Sequence, residues 1–327
     1  MKVIEVDGLS RSFSYYKKEA GLRHSLRNLV HREKLVKEAV RGISFAIEEG
    51  EMTGFLGPNG AGKTTTLKML AGILFPTAGQ ASVLGFTPWE RRKDFKKQIA
   101  IVMGQKSQLW WDLPAVESFA LNRAIYELDE RAYRSSLDEL TELLEVRELL
   151  GVQVRRLSLG ERMKMELIAA LLHRPRVMFL DEPTIGLDIL SQRRIREFLK
   201  YYNTQNHTTV LLTSHYMNDI EDLCRRCVLI NEGRIVYDGE LARVGDVFSG
   251  KKRIKVQLEH TVERADLERL GQVKEYDGAN AVLEADRSDI KAVCAALLSS
   301  LPVVDFNIED IPLEEGIAVL YRKEVAP

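Results

Sequence analysis

Cysteine is scarce in this sequence, with Cys224, Cys227 and Cys294 the only three among 327 residues. So few cysteines exclude a disulfide scaffold. Cys224 and Cys227 have the C-x-x-C spacing of redox and zinc sites, but no second such pair and no histidine pair stands at metal-ligand spacing. The first cysteine ends a helix-like segment and the second enters an apolar strand-like segment. We therefore interpret both as structural residues.

Long apolar runs and an excess of charge of one sign are also missing. No run approaches the roughly 20 apolar residues that a membrane-spanning helix needs, and the chain opens on strand-like VIEV rather than on a signal peptide. The 47 Lys and Arg residues stand against 48 Asp and Glu residues, a formal net charge of −1. Such a balance gives no overall attraction to nucleic acid or lipid. We expect a soluble, intracellular protein of about two domains.

Strand-like and helix-like segments alternate over most of the chain, from residue 51 to about residue 237. The strand-like segments are EMTGFLG, QIAIVMG, RVMFLDE, TTVLLTS and CVLINEG. Their alternation with helices is typical of a largely parallel α/β sheet. Between Leu113 and Leu157 the strands vanish and the periodicity is helical. This change predicts an inserted helical subdomain at about residues 106–165.

A basic segment separates two N-terminal strand-like stretches, VIEV and ISFAIEEG. It covers about residues 14–38, and its apolar residues Leu22, Leu26, Leu29 and Val30 recur at the spacing of one helical face. A basic amphipathic helix of this kind lies on a membrane surface or against a partner helix. Alternatively, it folds onto its own domain and exposes a solvated charged face. Both interpretations stay open.

The pattern changes after about residue 242, where a small second domain, 243–327, begins. KRIKVQL, VERADLERL, QVKEYDG, NAVLEAD, DIKAVCAALLSS and VVDFNIED follow one another in β-α-β-β-α-β order. That order predicts a ferredoxin-like α+β sandwich. It contains no catalytic constellation, so we expect this domain to serve regulation or to support a dimer.

A glycine-rich loop carries the strongest chemical signal. Residues 57–64, GPNGAGKT, satisfy the pattern G-x-x-x-x-G-K-[ST], between strand-like TGFL and helix-like TTLKMLAGI. Glycines let backbone N–H groups turn around phosphate oxygens, and the following helix adds its positive dipole end. We expect Lys63 to reach the β- and γ-phosphates and Thr64 to ligate Mg²⁺. The predicted nucleotide-binding residues of this loop are Gly57, Pro58, Asn59, Gly60, Ala61, Gly62, Lys63, Thr64 and Thr65.

Two carboxylates end another apolar segment, RVMFLDE. Its four apolar residues lead directly into Asp181 and Glu182. An apolar strand of such a sheet delivers the residues after it to the carboxyl edge, where open α/β folds bind ligands. We expect Asp181 to hold Mg²⁺ through water and Glu182 to polarise the attacking water as general base.

The ordered motifs GPNGAGKTT, Gln105, LSLGE, FLDEPTIGLD and His215 resemble those of the ATP-binding subunits of ABC transporters. The resemblance covers about residues 1–240, and its most specific part is LSLGE, which looks like the ABC signature. It implies a P-loop ATPase core with an N-terminal antiparallel β part, ATP hydrolysis, and ATP and Mg²⁺ as ligands. In the family, the signature binds the γ-phosphate of ATP held by the opposite subunit. Here that role falls on Ser158, Leu159, Gly160 and Glu161.

The resemblance implies further roles for single residues. Gln105 is expected to sense Mg²⁺ and the attacking water, and the loop after it, KSQLWWDLP, to relay the nucleotide state to a membrane partner. Asp188 belongs to the loop that couples the two sites of a dimer, and His215 is expected to hydrogen-bond the γ-phosphate. Trp110 and Trp111 are either core residues of the helical subdomain or part of a permease contact.

Three positions depart from the usual family pattern. The signature has Leu159 where glycine is common and Glu161 where glutamine is common. Glu161 places a carboxylate near a polyanion, and repulsion between like charges would alter affinity or rate. The aromatic residue that stacks on adenine is usually tyrosine, whereas Phe13 fits that position best here. Because the basic segment follows directly, Tyr15 and Tyr16 are competing assignments.

One copy of the motif set implies that two chains are needed for two composite sites. We expect a homodimer that clasps two ATP molecules, with integral-membrane permease subunits as further partners and no nucleic acid. This arrangement would hold the protein peripherally at the cytoplasmic face of the cell membrane.

The basic segment, the small C-terminal domain and the stretches SFALNRAIY and MKMELIAALLHRP look similar to those of export-type ATPases. Such ATPases serve separate permeases that move drugs, lipids or polysaccharides, and export is the predicted function. The alternative is an amino-acid importer of the methionine type, whose ATPases also carry a ferredoxin-like C-terminal domain. A soluble ABC ATPase acting on DNA or ribosomes is less favoured, because its long coiled coils, zinc modules or second cassette are missing.

Overall fold

The computed structural model describes residues 1–16, 34–104, 106–244, 250–311, 315 and 317. The chain divides into two compact units, Met1–Asp238 and Gly239–Pro327; the sequence analysis put this division after residue 242. Within the described ranges, no helix combines the length and the apolar character that crossing a bilayer requires.

A six-stranded sheet forms the centre of the first unit. Its strands are β3 (Met52–Leu56), β5 (Ile99–Met103), β6 (Val177–Asp181), β7 (Thr209–Thr213), β8 (Arg226–Asn231) and β9 (Arg234–Glu240). They lie in the order β5-β6-β7-β3-β8-β9, and the first five pair in parallel. All residues of β3 and β7 are buried, as their nearly continuous apolar sequences predict. The carboxyl ends of β3, β6 and β7 meet at one edge of the sheet, and their loops carry the predicted site residues.

A second sheet of the first unit consists of β1 (Lys2–Tyr16), β2 (Lys34–Glu48) and β4 (Ala78–Val83). The strands lie in the order β2-β1-β4 and are antiparallel. Ile4 and Ile43 of this sheet join Phe179 of β6 and Leu67 of helix α1 (Lys63–Leu70) in one buried cluster, each at most 1% exposed. Each such fully buried side chain contributes about 1.5–3 kcal/mol. This cluster fixes α1, and with it the glycine-rich loop, between the two sheets.

The ends of the basic segment are strands and not a helix. Ser14–Tyr16 close β1, residues 34–38 open β2, and Tyr15 pairs with Leu35. Aromatic and branched residues favour this cross-strand pairing over helix, so the predicted helix is wrong at these ends. The residues that suggested it, Leu22, Leu26, Leu29 and Val30, lie outside the described residues.

The region between Leu113 and Leu157 is helical, as predicted. It contains α3 (Ala115–Tyr126), α4 (Glu130–Leu143) and two short 3₁₀ turns, Arg147–Leu149 and Val154–Arg156. Asp129 caps α4 by accepting the backbone N–H groups of Arg131 and Ala132. The other helices are α2 (Lys93–Lys96), α5 (Leu159–Leu171), α6 (Ile189–Asn206) and α7 (Met217–Leu223), with a 3₁₀ turn at Pro88–Glu90.

The second unit has the predicted ferredoxin-like order. Its elements are β10 (Lys251–Leu258), α8 (Arg264–Glu268), β11 (Gln272–Tyr276), β12 (Asn280–Asp286), α9 (Ile290–Ser300) and β13 (Val303–Asp310). The sheet is antiparallel, with the order β11-β12-β10-β13. Ile254, Val256 and Leu283 from its central strands pack against Leu297 of α9 in a small core.

Candidate active site

The glycine-rich loop, residues 57–65, connects β3 to α1. A Cβ on Gly57 would stand 2.2 Å from a backbone carbonyl oxygen of β8, and one on Gly62 would stand 2.5 Å from a backbone carbonyl oxygen of β2. Gly60 and Gly62 also have φ angles of +82° and +111°, which other residues rarely adopt. Among the described residues, no side chain caps the start of α1, so its first N–H groups are available to an anion. The loop has the shape and polarity of a phosphate-binding site.

Lys63 folds back into this loop. Its Nζ donates to the carbonyl oxygens of Gly57 at 2.5 Å and Pro58 at 3.2 Å. Burial lowers the pKa of the ammonium group, whereas the nearby carboxylates of Glu182 and Asp181 raise it. The cation therefore lies within the loop where this motif binds phosphate oxygens, with two carboxylates favouring its charged form.

Asp181 is held by two threonine hydroxyls. Thr64 donates to its Oδ2 and Thr213 to its Oδ1, both at 2.8 Å. A hydroxyl beside a carboxylate supplies the hard oxygen ligands that Mg²⁺ prefers. The described residues include no group of three or more His, Cys, Asp or Glu side chains that could hold a metal. Thr64 and Asp181 therefore fit a Mg²⁺ ion that takes its other ligands from phosphate and water.

Glu182 and His215 meet where β6 and β7 end. Nε2 of His215 lies 2.8 Å from Oε1 of Glu182, and the buried Oε2 has no hydrogen-bond partner in the described part of the chain. Glu182 also has a φ of +56°, and its N–H donates to the Thr213 carbonyl oxygen at 3.0 Å. Such backbone strain in a residue with a side chain is typical of functional sites. The arrangement leaves one carboxylate oxygen without a competing partner.

Asp219 is a supporting residue that the sequence analysis missed. It is 1% exposed and accepts hydrogen bonds from Thr184, from Ser214 at 2.7 Å and from Arg196 at 2.9 Å. The network joins the loop after Glu182 to the loop that carries His215. Asp219 lies on the buried face of α7. A buried carboxylate needs hydrogen-bond partners, so an acidic residue on the apolar face of a helix was the only sign of this network in the sequence.

A cavity of about 260 Å³ opens over the glycine-rich loop. Its lining includes Phe13, Lys37, Ala39 and Glu182 in addition to loop residues. Phe13 and Lys37 are directly paired across β1 and β2, so both side chains stand on the same face of the hairpin. Tyr15, half exposed, does not line the cavity, and neither does Tyr16. The sequence analysis missed Lys37 and Ala39 because only strand register places them here.

A larger cavity lies elsewhere on the first unit. It measures about 640 Å³ and is lined by Gly50, Asn203 and Arg226 among others. It contains none of the motif residues. Volume alone therefore does not locate the site.

The signature residues form the start of α5. Ser158 caps the helix: its hydroxyl accepts the Glu161 N–H at 3.3 Å, and the Glu161 carboxylate accepts the Ser158 N–H and hydroxyl, each at 2.8 Å. This is a capping box. In the single chain the Glu161 carboxylate therefore binds its own helix terminus, and its expected repulsion from a polyanion stays a prediction. Leu159 is 38% exposed.

The starts of α5 and α6 lie side by side. A Cβ on Gly160 would stand 2.6 Å from the Ser191 hydroxyl, so a larger residue here would displace the Ser191 side chain. Asp188 caps α6 by accepting the Ser191 N–H at 3.0 Å and the Ser191 hydroxyl at 2.6 Å. These hydrogen bonds lower the pKa of Asp188. The signature and the loop around Asp188 therefore lie next to each other.

The predicted site residues fall into two groups. No hydrogen bond or ion pair between described residues joins 158–161 to 57–65. Gln105 lies outside the described residues. Trp110 and Trp111, after it, are each 48% exposed, so neither is a buried core residue.

Cys224 and Cys227 are free and buried. Burial raises the pKa of both thiols, that of Cys227 to about 12. Thiols of this kind are poor nucleophiles and metal ligands, which agrees with a structural role.

Two protein-family models match this chain. The model described as ABC transporter matches residues 40–185, and the model described as EvrA-like ABC transporter, C-terminal domain, matches residues 250–309. The ABC transporter ATP-binding protein NatA of Bacillus subtilis is 34% identical over 215 residues, 66% of this chain and 87% of NatA. The chain belongs to the ABC transporter ATP-binding proteins. The predicted family, nucleotide ligand and ATPase activity are thereby confirmed.

This ABC ATPase is similar to two further proteins. Nod factor export ATP-binding protein I of Burkholderia pseudomallei is 37% identical over 203 residues, 62% of this chain and 66% of that relative. A solved dimeric ATP-binding cassette, in a post-hydrolysis state bound to ADP and Pi, gives a TM-score of 0.59 at 20% identity. The likeness covers 72% of this chain and 98% of that chain, and at this identity it shows the fold alone.

Proposed function

We propose that this ABC ATPase forms a homodimer with two composite ATP sites and drives export through a separate permease. One observation carries the proposal: the glycine-rich loop and the carboxylates of one chain form one half of an ATP site, a half-site, and the signature residues of the same chain are not part of it. Residues 57–65, Asp181 and Glu182 converge on one edge of the sheet, whereas 158–161 begin α5 without a described hydrogen bond to the loop. A half-site of this kind is completed by a second copy of the chain.

ATP binding uses the glycine-rich loop and the hairpin of β1 and β2. The N–H groups of the loop and the Lys63 ammonium group bind the phosphates. Thr64 and Asp181 hold Mg²⁺, which when bound neutralises charge on the β- and γ-phosphates. Phe13 presents an aromatic face to the adenine, and Lys37 adds a cation on the same wall of the cavity.

Hydrolysis depends on Glu182 and His215. Glu182 accepts a proton from the attacking water, whose oxygen bonds to the γ-phosphorus as the bond to the bridging oxygen breaks. His215 contacts Oε1 of Glu182 in the chain alone and donates to the γ-phosphate once ATP is bound. Gln105 keeps the assignment that the family resemblance implies, beside Mg²⁺ and the attacking water.

The second subunit contributes Ser158, Leu159, Gly160 and Glu161 to the same ATP. In the proposed dimer, the start of α5 binds the γ-phosphate from the opposite side, and Asp188 lies next to it across the interface. The solved cassette with the same fold is dimeric, which supports this arrangement.

Export is favoured over import by two observations. A relative is named for Nod factor export. The second unit, on which the importer alternative depended, matches the C-terminal domain of EvrA-like ABC transporters. The proposal implies permease subunits and a peripheral position at the cytoplasmic face of the membrane. Trp110 and Trp111 provide exposed apolar surface for the permease contact.

The composite site is tested with the purified Glu182→Gln protein. Since hydrolysis stalls with ATP bound, we expect ATP and Mg²⁺ to convert monomer to dimer on gel filtration. The double variant Glu182→Gln with Ser158→Arg is the control, and it should bind ATP and stay monomeric. A Glu182→Gln protein that binds ATP yet never dimerises would contradict the proposal. Export is tested separately, by identifying the membrane subunit that co-purifies with this ATPase and asking whether it is the permease of an exporter.

A further inference from the structure

One buried carboxylate ties the loop after β5 to the signature helix. Glu166 of α5 is 4% exposed. It accepts the Ser107 hydroxyl at 2.6 Å, the Gln108 N–H at 2.9 Å and 3.1 Å on its two oxygens, and the Leu109 N–H at 3.4 Å. Donors from three consecutive residues converge on one side chain. The position of residues 107–109 is therefore set by α5.

The same loop is attached to β5 on its other side. The Gln108 side-chain amide donates to the Ile101 carbonyl oxygen at 2.9 Å, and Met103 and Lys106 form an isolated β-bridge. Gln105 stands between these two bridge residues in the chain. Residues 106–108, which follow Gln105 in the chain, are therefore attached to β5 as well as to α5.

The signature and Glu166 belong to one rigid element. Ser158 caps α5 and Glu166 lies eight positions later on it, about 12 Å at 1.5 Å per residue. Between them, the Arg162 guanidinium lies 4.5 Å from the centre of the Trp111 ring. Helix α5 therefore contacts residues 107–109 through Glu166 and contacts Trp111 through Arg162.

The hydrogen bonds of Glu166 fix the conformation of residues 107–109, which an apolar side chain at this position would not do. Burial raises the pKa of Glu166, and the hydrogen bonds from Ser107 and Gln108 offset only part of this rise. An apolar side chain would avoid the cost of burying a polar group but would leave the Gln108 N–H without its acceptor. It would also remove the shortest hydrogen bond of the Ser107 hydroxyl.

We propose that Glu166 is a positioning residue that couples the signature of each subunit to the loop following Gln105 in the same subunit. The inference depends on the proposed composite site. When ATP held by the partner engages Ser158, α5 shifts as one body and Glu166 carries residues 107–109 with it. Because the signature serves one site of the dimer and Gln105 serves the other, Glu166 links the two sites.

Tryptophan emission reports on this loop. The chain has three tryptophans, and a Trp89→Phe change leaves Trp110 and Trp111, both half exposed. In a Glu182→Gln, Trp89→Phe parent, we expect ATP with Mg²⁺ to form the dimer and to shift the emission. Adding Glu166→Gln should remove at least half of the shift, while dimerisation persists and the Kd for ATP changes less than about twofold, since the glycine-rich loop is untouched.

Lys164→Gln is the matched control. Lys164 lies on the same helix, is 8% exposed and donates to the Leu144 carbonyl oxygen at 2.7 Å, so it ties α5 to the end of α4 and not to the loop. This control should keep the full emission shift. Ser107→Ala, which removes the shortest hydrogen bond without changing α5, should reduce the shift and replaces Glu166→Gln if that variant does not fold.

Three results would overturn the inference. They are a full emission shift in the Glu166→Gln dimer, an equal loss in the Lys164→Gln dimer, and a parent that dimerises without any shift. Failure of the parent to dimerise is a separate result, which contradicts the composite site itself. In the protein with native Glu182, Glu166→Gln should lower kcat about tenfold at unchanged KM for ATP, because misplacing a loop near the reacting atoms slows the reaction step.

Discussion

Nε2 of His215 lies 2.8 Å from Oε1 of Glu182, so the chain alone already brings together two residues from the ends of neighbouring strands. In the chain without nucleotide this contact holds the carboxylate of the proposed general base. It fixes one oxygen of Glu182 and leaves the other without a described partner.

Removing the imidazole of His215 is therefore expected to impair hydrolysis more than binding. His215→Ala should lower kcat by about 100-fold or more, the size of effect expected for a group that supports proton transfer. The Kd for ATP should rise less than about tenfold, which is the change expected from the loss of one hydrogen bond. Phosphate release and nucleotide titration measure the two effects. His207→Asn, at the exposed end of α6, should behave as wild type, and equal losses in both variants would contradict this role.

The aromatic residue that contacts adenine is identified by a pair of variants on one strand. Phe13→Ala should raise the Kd for ATP by about 5- to 150-fold, since stacking of a base on an aromatic ring contributes about 1–3 kcal/mol. Tyr15→Ala should change the Kd less than about twofold, because Tyr15 does not line the cavity. Titration with ATP and with inorganic triphosphate, which lacks a base, separates stacking from phosphate binding. A larger effect of Tyr15→Ala would reverse the assignment.

The buried pair of Asp219 and Arg196 should matter for stability. Asp219→Ala removes the buried partner of Arg196, whose side chain is 12% exposed, and leaves two hydroxyl groups without their acceptor. We expect the free energy of unfolding to fall by about 3–5 kcal/mol, as measured by denaturant unfolding. Asp222→Ala is the control, because Asp222 pairs with the same arginine at 2.7 Å but is 56% exposed, and its loss should cost less than about 1 kcal/mol. Similar costs for both variants would show that the buried network adds no stability of its own.

The carboxylate of Glu161 should act mainly through the helix start. Glu161→Gln keeps the reciprocal hydrogen bonds of the capping box and should leave the Tm nearly unchanged. Glu161→Ala should lower the stability by about 0.5–2 kcal/mol. Thermal unfolding of the two variants distinguishes capping from charge. If Glu161→Gln destabilises the protein as much as Glu161→Ala, the charge of Glu161 is what matters.

Local sequence predicted the elements whose formation depends on neighbouring residues. The glycine-rich loop, the buried strand before Asp181 and the β-α-β-β-α-β order of the second unit all follow from contiguous patterns. The prediction was wrong at the described ends of the basic segment, where Tyr15 pairs with Leu35. Helical spacing of apolar residues in the middle of that segment carries no information about cross-strand pairing at its ends.

Several site contacts join residues that lie far apart in the chain. Thr64 and Asp181 are 117 positions apart, and Ser107 and Glu166 are 59 apart. Neither distance in sequence indicates contact. The Phe13 and Lys37 pair likewise depends on the register of β1 with β2, and a shift of one residue would turn both side chains to the other face.

The sequence by itself determined that residues 57–65 have the pattern of a phosphate-binding loop, and it thereby predicted a nucleoside-triphosphate site, since the glycines, Lys63 and Thr64 lie within one loop. Only the tertiary structure decided which distant side chains serve it. The strand order brings the ends of β3, β6 and β7 to one edge, and there Asp181, Glu182 and His215 come within hydrogen-bond reach of one another or of the loop. Side-chain hydrogen bonds act over about 3 Å, so the partners of a side chain are determined only once the backbone has folded.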